Sequence, residues 1–209
     1  MKLHSESFVD GGVIPSQFAF GKMDDKHHVT LSDNRNPHLA WSDSPQGTRS
    51  FAIICHDYDV PSSGEDVNQE GREVPSSLAR ADFFHWALID LPASVQSVAA
   101  GEYSEGVTPK GKSGSVTRHG ARQGVNDYTA WFSGDQDMAG DYYGYDGPCP
   151  PWNDSIVHHY VFTVYALDVE TLPLPGRFTG AEARALIEQH VLGRVSITGT
   201  YTLNPRLAG

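Results

Sequence analysis

The sequence predicts a mainly β, mostly antiparallel fold, a single domain over residues 1–209 with a few helices at its edge. Three runs rich in β-branched and aromatic residues, at 51–60, 83–91 and 158–167, are each bounded by turn or proline chemistry. One segment alone, near residue 180, combines helical apolar spacing with both end signals. The connections between these pieces are punctuated by Gly and Pro.

In chain order, Phe8 to Phe20 suits an N-terminal strand region. Asp33-Asn34-Arg35-Asn36-Pro37 is turn chemistry, and Leu39-Ala40-Trp41 precedes a polar turn from Ser42 to Gly47. Phe51-Ala52-Ile53-Ile54 opens a buried strand that ends at Asp57, Asp59 and Pro61. Ser62 to Ala79, rich in Ser, Gly and Glu, is a surface loop with room for a short helical turn. The next strand carries His85 near its start and ends at Pro92. Gly101 to Gly147 has many glycines and no sustained period; such long connections are functional or are ordered by their own side chains. In Gly147-Pro148-Cys149-Pro150-Pro151, three prolines fix φ and remove three N–H donors, which makes a stiff loop. The strand behind it opens with His158-His159-Tyr160. Thr179 and Glu182 form a capping box ahead of Ala183, Leu186, Ile187 and Val191, and Gly193 suits the stop of a helix over about 180–192. Val195 to Leu203 reads as a closing strand.

Bulk properties narrow the function. The formal net charge of −11 disfavours nucleic acid and anionic membranes as general partners, because both reward basic surfaces, but it leaves a local anion pocket open. The N-terminus lacks an apolar signal core and no run approaches the length of a membrane span, so the expected location is cytoplasmic. Cys55 and Cys149 are too few for a disulfide framework and read as free thiols. Three strands carry Asp, His or Tyr at an end, beside a stiff loop, and this predicts one polar cluster on a sheet scaffold.

Those ends also carry a resemblance. Asp57-Tyr58-Asp59-Val60-Pro61 resembles the D-P-D-x-P motif of the phosphatidylethanolamine-binding protein family, which includes the Raf kinase inhibitor proteins. Phe84-His85-Trp86 is similar to its central His-Trp strand, and Asn36 to Trp41 fits its N-P-x-L-x-W. Gly147 to Pro151 with His158-His159-Tyr160 resembles G-P-x-P-P…H-x-Y. Gly124-Val125-Asn126-Asp127-Tyr128 is similar to the G-x-N-D-Y/F stretch of the bacterial YbhB/YbcL-like branch. The resemblance implies a central antiparallel sheet packed on a second, smaller sheet with peripheral helices. It also implies a pocket for a small oxyanion or phosphoryl ligand, a phosphorylated protein or kinase as partner, and a homodimer. Trp131 to Tyr143 looks like an insertion relative to the family, packed down by its aromatics at the pocket rim or a subunit contact.

Carried over by motif, the ligand-binding residues are Asp57, Asp59, Pro61, His85, Gly147, Pro148, Pro150, His158 and Tyr160, with Pro151 in the same wall and Tyr58, Cys149 and Trp152 at the rim. Tyr58 stands where the family has proline. A phosphoryl group needs several donors in a small space. His85 and His158 can supply ring N–H groups, Tyr160 a hydroxyl, and the Gly147 segment backbone N–H groups. Asp57 orients a histidine or accepts from a protonated ligand oxygen, Asp59 holds the loop by accepting N–H groups, and the two roles are interchangeable at this stage. Strand alternation turns His56 and His159 to the opposite face. Asp57, His85 and His158 also have the composition of a two-histidine, one-carboxylate metal set. No G-x-S-x-G elbow, P-loop or G-x-G-x-x-G is present. The reading is a binding protein without cofactor or catalytic role. The rivals are a hydrolase or metal-dependent enzyme using the Asp57/His85/His158 cluster, and a dimeric scaffold with a vestigial pocket.

Overall fold

The computed structural model describes residues 1–208. Its elements run β1 (Lys2–His4), β2 (Gly21–Asp24), β3 (His28–Leu31), β4 (Leu39–Ser42), β5 (Ser50–Pro61), β6 (Arg80–Pro92), β7 (Ser97–Val98), β8 (Arg122–Gln123), α1 (Tyr128–Trp131), β9 (His158–Leu167), α2 (Gly180–Ile187) and β10 (Val191–Tyr201). Five strands pair antiparallel in the order β10-β9-β5-β6-β8. A smaller sheet, β1-β4-β7, and the β2-β3 hairpin complete the β structure.

The apolar runs are continuous because the central strands are buried on both faces. Phe51, Ile53, Cys55, Leu88, Phe162 and Val164 pack with Leu39, Trp41 and Val98 of the smaller sheet. Their alternating neighbours Ala52, Ile54, Ala87, Ile89 and Leu167 pack on the other side with Phe178, Ala183 and Ile187 around α2. Full burial of each large apolar side chain contributes about 1.5–3 kcal/mol, so these two layers hold the sheet between them. The expected arrangement of a central antiparallel sheet on a smaller one, with helices at the periphery, is what the chain adopts.

Two boundaries differ from expectation. The capping box forms, with Thr179 Oγ1 accepting from Glu182 N and the Glu182 carboxylate accepting from Thr179 N at 2.8 Å. Yet α2 stops at Ile187 rather than near 192, and Val191 and Gly193 pair with Leu167 and Ala166 across an irregularity. A β-branched run next to an open edge of β9 gains more from pairing than from continuing a short helix. The Phe8–Phe20 region is not a regular strand. It lies along β10 through Gly11 N to Thr198 O (2.7 Å) and Ile14 N to Thr200 O (2.9 Å), then makes a 3-10 turn at Ser16–Phe18.

Two bulges re-aim side chains at the end of the sheet. Cys55 pairs with Trp86 but His56 pairs with Phe84, so His85 is an extra residue on β6. Asp57 pairs with Phe83 and Val60 with Ala81, so β5 has one extra residue between them. Bulges bend a strand and break its alternation, and both sit where the polar residues cluster.

Candidate functional site

A cavity of about 390 Å³ opens at these bulged ends. Asp57, Val60 and Pro61 come from β5, Phe83 and His85 from β6, and His158 and Tyr160 from β9. Cys149, Pro150 and Pro151 form the stiff wall, facing Val29 and Leu31 of the β2-β3 hairpin. Tyr128 and Trp131 of α1 close the remaining side with Phe132 and Met138.

The floor is a buried chain of charges. His158 Nδ1 bonds Asp57 Oδ2 at 2.6 Å and His158 Nε2 bonds Asp154 Oδ2 at 3.0 Å. Arg80 grips Asp154 with both terminal nitrogens, at 2.6 and 3.1 Å. The His158 side chain is 0% exposed, and those of Asp57 and Asp154 are 2% and 1% exposed. Burial alone would lower the His158 pKa, but the bonds to Asp154 and Asp57 override it and hold the imidazole protonated up to about 9. For Asp154, burial pushes the carboxyl up, while His158 and Arg80 together pull it below its usual value. Two anions and two cations therefore neutralise one another. Asp57 Oδ1 also accepts from Asp59 N at 2.7 Å, which ties the bulge to the same network.

His85 is different. It is buried, its Nδ1 bonds the Asp146 carbonyl at 2.8 Å, and its Nε2 has no partner among the described residues. The carbonyl can only accept, so Nδ1 carries the proton and Nε2 is the free acceptor of a neutral ring. Burial lowers the His85 pKa against the opposing pull of Asp57 and Asp146. The Asp146 side chain is fully buried and fixes this support, accepting from Asn34 at 2.7 Å, Lys112 at 2.8 Å and Asn126 at 2.7 Å.

The expected site residues separate accordingly. Asp57, Pro61, His85, Pro150, His158 and Tyr160 line the cavity together, with Cys149 and Pro151. His158 lines it without a free N–H, because both ring nitrogens are held by carboxylates, so the donor role expected of it is not available. Asp59 turns away at the bulge and accepts from His159 N (2.9 Å) and His159 Nδ1 (2.8 Å), the loop-holding role rather than a ligand contact. Gly147 donates its N–H to Asn34 Oδ1 at 2.8 Å, and its lack of a Cβ admits the Phe18 carbonyl; its value is close packing, not an exposed donor. The Pro148 carbonyl accepts from Phe20 N, so Pro148 stands behind the wall. Tyr58 stacks on His159 at 5.6 Å and Trp152 on His28 at 3.8 Å, both outside the cavity lining.

Sequence reasoning missed Asp154 and Arg80, and gave no role to Asn34, Asn126 or Asp146. Asn126 was visible inside the G-x-N-D-Y-like stretch, and Asp146 directly precedes Gly147. Burial pushes the Cys149 thiol up to about 12, and Cys55 and Cys149 are both free. Among the described residues no group of three or more His, Cys, Asp or Glu could hold a metal ion. The Asp57/His85/His158 combination fails as a ligand set because His158 has no free nitrogen. No helix among the described residues is long and apolar enough to cross a membrane.

The protein YbhB of Escherichia coli K12 is 30% identical over 204 residues, covering 97% of this chain and 100% of its own length. YbcL of the same strain is 29% identical over 172 residues, 81% of this chain and 73% of that one. The crystal structure of E. coli YbcL, described as a member of the mammalian PEBP family, superposes with a TM-score of 0.69 at 25% identity, covering 96% of this chain and 97% of that one. The family model for phosphatidylethanolamine-binding protein matches residues 4–202. With that match running almost end to end, this chain belongs to the phosphatidylethanolamine-binding protein family.

Proposed function

We propose that the chain is a binding protein whose cavity takes a small ligand through a singly protonated phosphoryl group or a similar oxyanion, and that it does not turn the ligand over. The observation that carries this reading is His85. Its Nε2 is an unpartnered acceptor among the described residues, His85 lines the cavity together with Asp57, whose charge acts on the ring, and no Lys or Arg is among the lining residues. The cationic His158 in the lining is already balanced by Asp57 and Asp154, so a phosphoryl dianion finds no free cation there. A monoanion brings its own P–OH, which donates to Nε2 or to the remaining acceptor capacity of Asp57. Two features support the absence of turnover. His158 is locked between two carboxylates, and Cys149, whose thiol burial pushes up to about 12, is a poor nucleophile.

Calorimetric titration with inorganic phosphate and phosphoethanolamine tests this. Phosphomonoesters lose their second proton near pH 6 and inorganic phosphate about a unit higher, so binding should weaken between pH 6 and pH 8, by more than about tenfold for phosphoethanolamine and by less for phosphate. His85→Ala should abolish it. Saturable binding that ignores both pH and the His85 substitution would overturn the assignment. Phosphoester turnover that vanishes with His85→Ala would move the protein to the hydrolases.

A further inference from the structure

A phosphoryl head occupies only part of this cavity. At about 390 Å³ it falls within the roughly 300–1,000 Å³ of sites that enclose drug-sized ligands. The polar groups, Asp57, His85 and His158, sit together at the ends of β5, β6 and β9. Most of the remaining lining is apolar and includes Trp131, Phe132 and Met138 from the segment that begins with α1, together with Leu31 and Val60. Trp131 is 52% exposed and Leu31 56% exposed, and both lie on the cavity lining. Large apolar side chains left exposed around one opening mark a surface that a ligand covers. The segment is held firmly enough to act as a preformed wall. Phe132 stacks on Tyr128 at 5.6 Å, Tyr128 stacks on Phe20 at 4.6 Å, and the Tyr142 hydroxyl donates to the Met138 carbonyl at 2.7 Å.

Resting on the head-group reading above, we infer that the ligand is a phosphomonoester with a sizeable apolar body, its phosphoryl group at His85 and Asp57 and its body against Trp131, Phe132, Met138 and Leu31. The segment at 131–138 is thus a specificity wall: it selects what the phosphoryl group is attached to. Trp131 offers an open indole face, and Met138 a flexible, polarizable side chain that adapts to the shape of the body. An aromatic ring and an alkyl chain satisfy the same wall.

Titrations with inorganic phosphate, phenyl phosphate and hexyl phosphate at pH 6 read this directly. Burial of a ring or a six-carbon chain should make at least one ester bind more than about tenfold tighter than phosphate, and the tighter ester identifies the kind of body. Trp131→Ala should shrink that ratio to below about threefold, and Leu31→Ser should shrink it as well. Both side chains are exposed, so the variants should fold, which their near-ultraviolet circular dichroism checks. If phosphate binds and neither ester binds more tightly, the inference falls while the head-group site stands. If an ester binds more tightly but the ratio survives both substitutions, the wall is misassigned and the inference also falls. If none of the three binds, the head-group reading fails and takes this inference with it.

Discussion

Replacing His158 with Gln keeps a side chain of similar reach but removes the cation between two buried carboxylates. Asp57 and Asp154 would then be left with only Arg80 to balance them. Removing one partner from a buried ion pair costs about 3–5 kcal/mol, because the remaining charge stays desolvated. The titration of the imidazole gives an independent figure: a rise from 6.5 to about 9 corresponds to about 3 kcal/mol. The unfolded chain releases this proton near pH 6.5 while the folded protein keeps it until about 9. The folded state thus binds more protons across that window, and stability falls as pH rises. Below 6.5 the contribution is complete; above about 9 it is gone. Asp154, lowered from 3.8, works in the other direction, with its contribution present above 3.8 and lost in acid. Urea unfolding of wild type and His158→Gln at pH 6, 7.5 and 9.5 should show a gap of about 3 kcal/mol at pH 6 that closes toward zero at pH 9.5. A gap that stays constant from pH 6 to 9.5 would show that the imidazole is neutral in the folded state and would refute the bridging-cation account.

Three further outcomes follow from the same geometry. Gly147→Ala should destabilise by about 1–3 kcal/mol in urea unfolding, since its new methyl would overlap the Phe18 carbonyl; an unaffected midpoint would remove the packing reason for this glycine. Asp146→Ala should cost about 3 kcal/mol by removing the buried carboxylate shared by Lys112, Asn34 and Asn126, and should widen the His85 ring signals in NMR spectra; sharp, unshifted signals would disconnect Asp146 from His85. Iodoacetamide at pH 8 should label native Cys149 far more slowly than the urea-unfolded chain, because burial pushes its thiol up to about 12; equal rates would contradict that environment.

The sheet was readable because its strands are buried on both faces and so carry unbroken apolar runs, and the capping box at Thr179 was readable because its chemistry is local. The end of α2 was not readable, because Val191 suits either a helical face or a strand and only the edge of β9 decides between them. At the site, alternation placed Asp57, His158 and Tyr160 on one face correctly. It failed for Asp59, since Pro61 signals only the end of the strand and nothing in the sequence marks the one extra residue before Val60. The motifs identified His158 but not its role. A histidine between two carboxylates and a histidine with a free nitrogen look alike in sequence, and Asp154 reaches His158 from a loop while Arg80 braces Asp154 from β6.

The N-terminal segment that lies along β10 also sets an order of assembly. Asp10 accepts from Thr198 N across 188 positions, and the Tyr201 hydroxyl donates to the Gly21 carbonyl across 180. Gly21 packs against Cys149 in the cavity wall, so that wall is finished only when the last strand has joined the first residues. Such distant pairings slow folding, because loop closure precedes the reward. On a ribosome this segment emerges long before β10 and stays without its partner until β10 has followed it. The proposed ligand binding would thus report on the whole chain: a polypeptide shortened before residue 201 can hold most of the sheet and still lack a closed pocket.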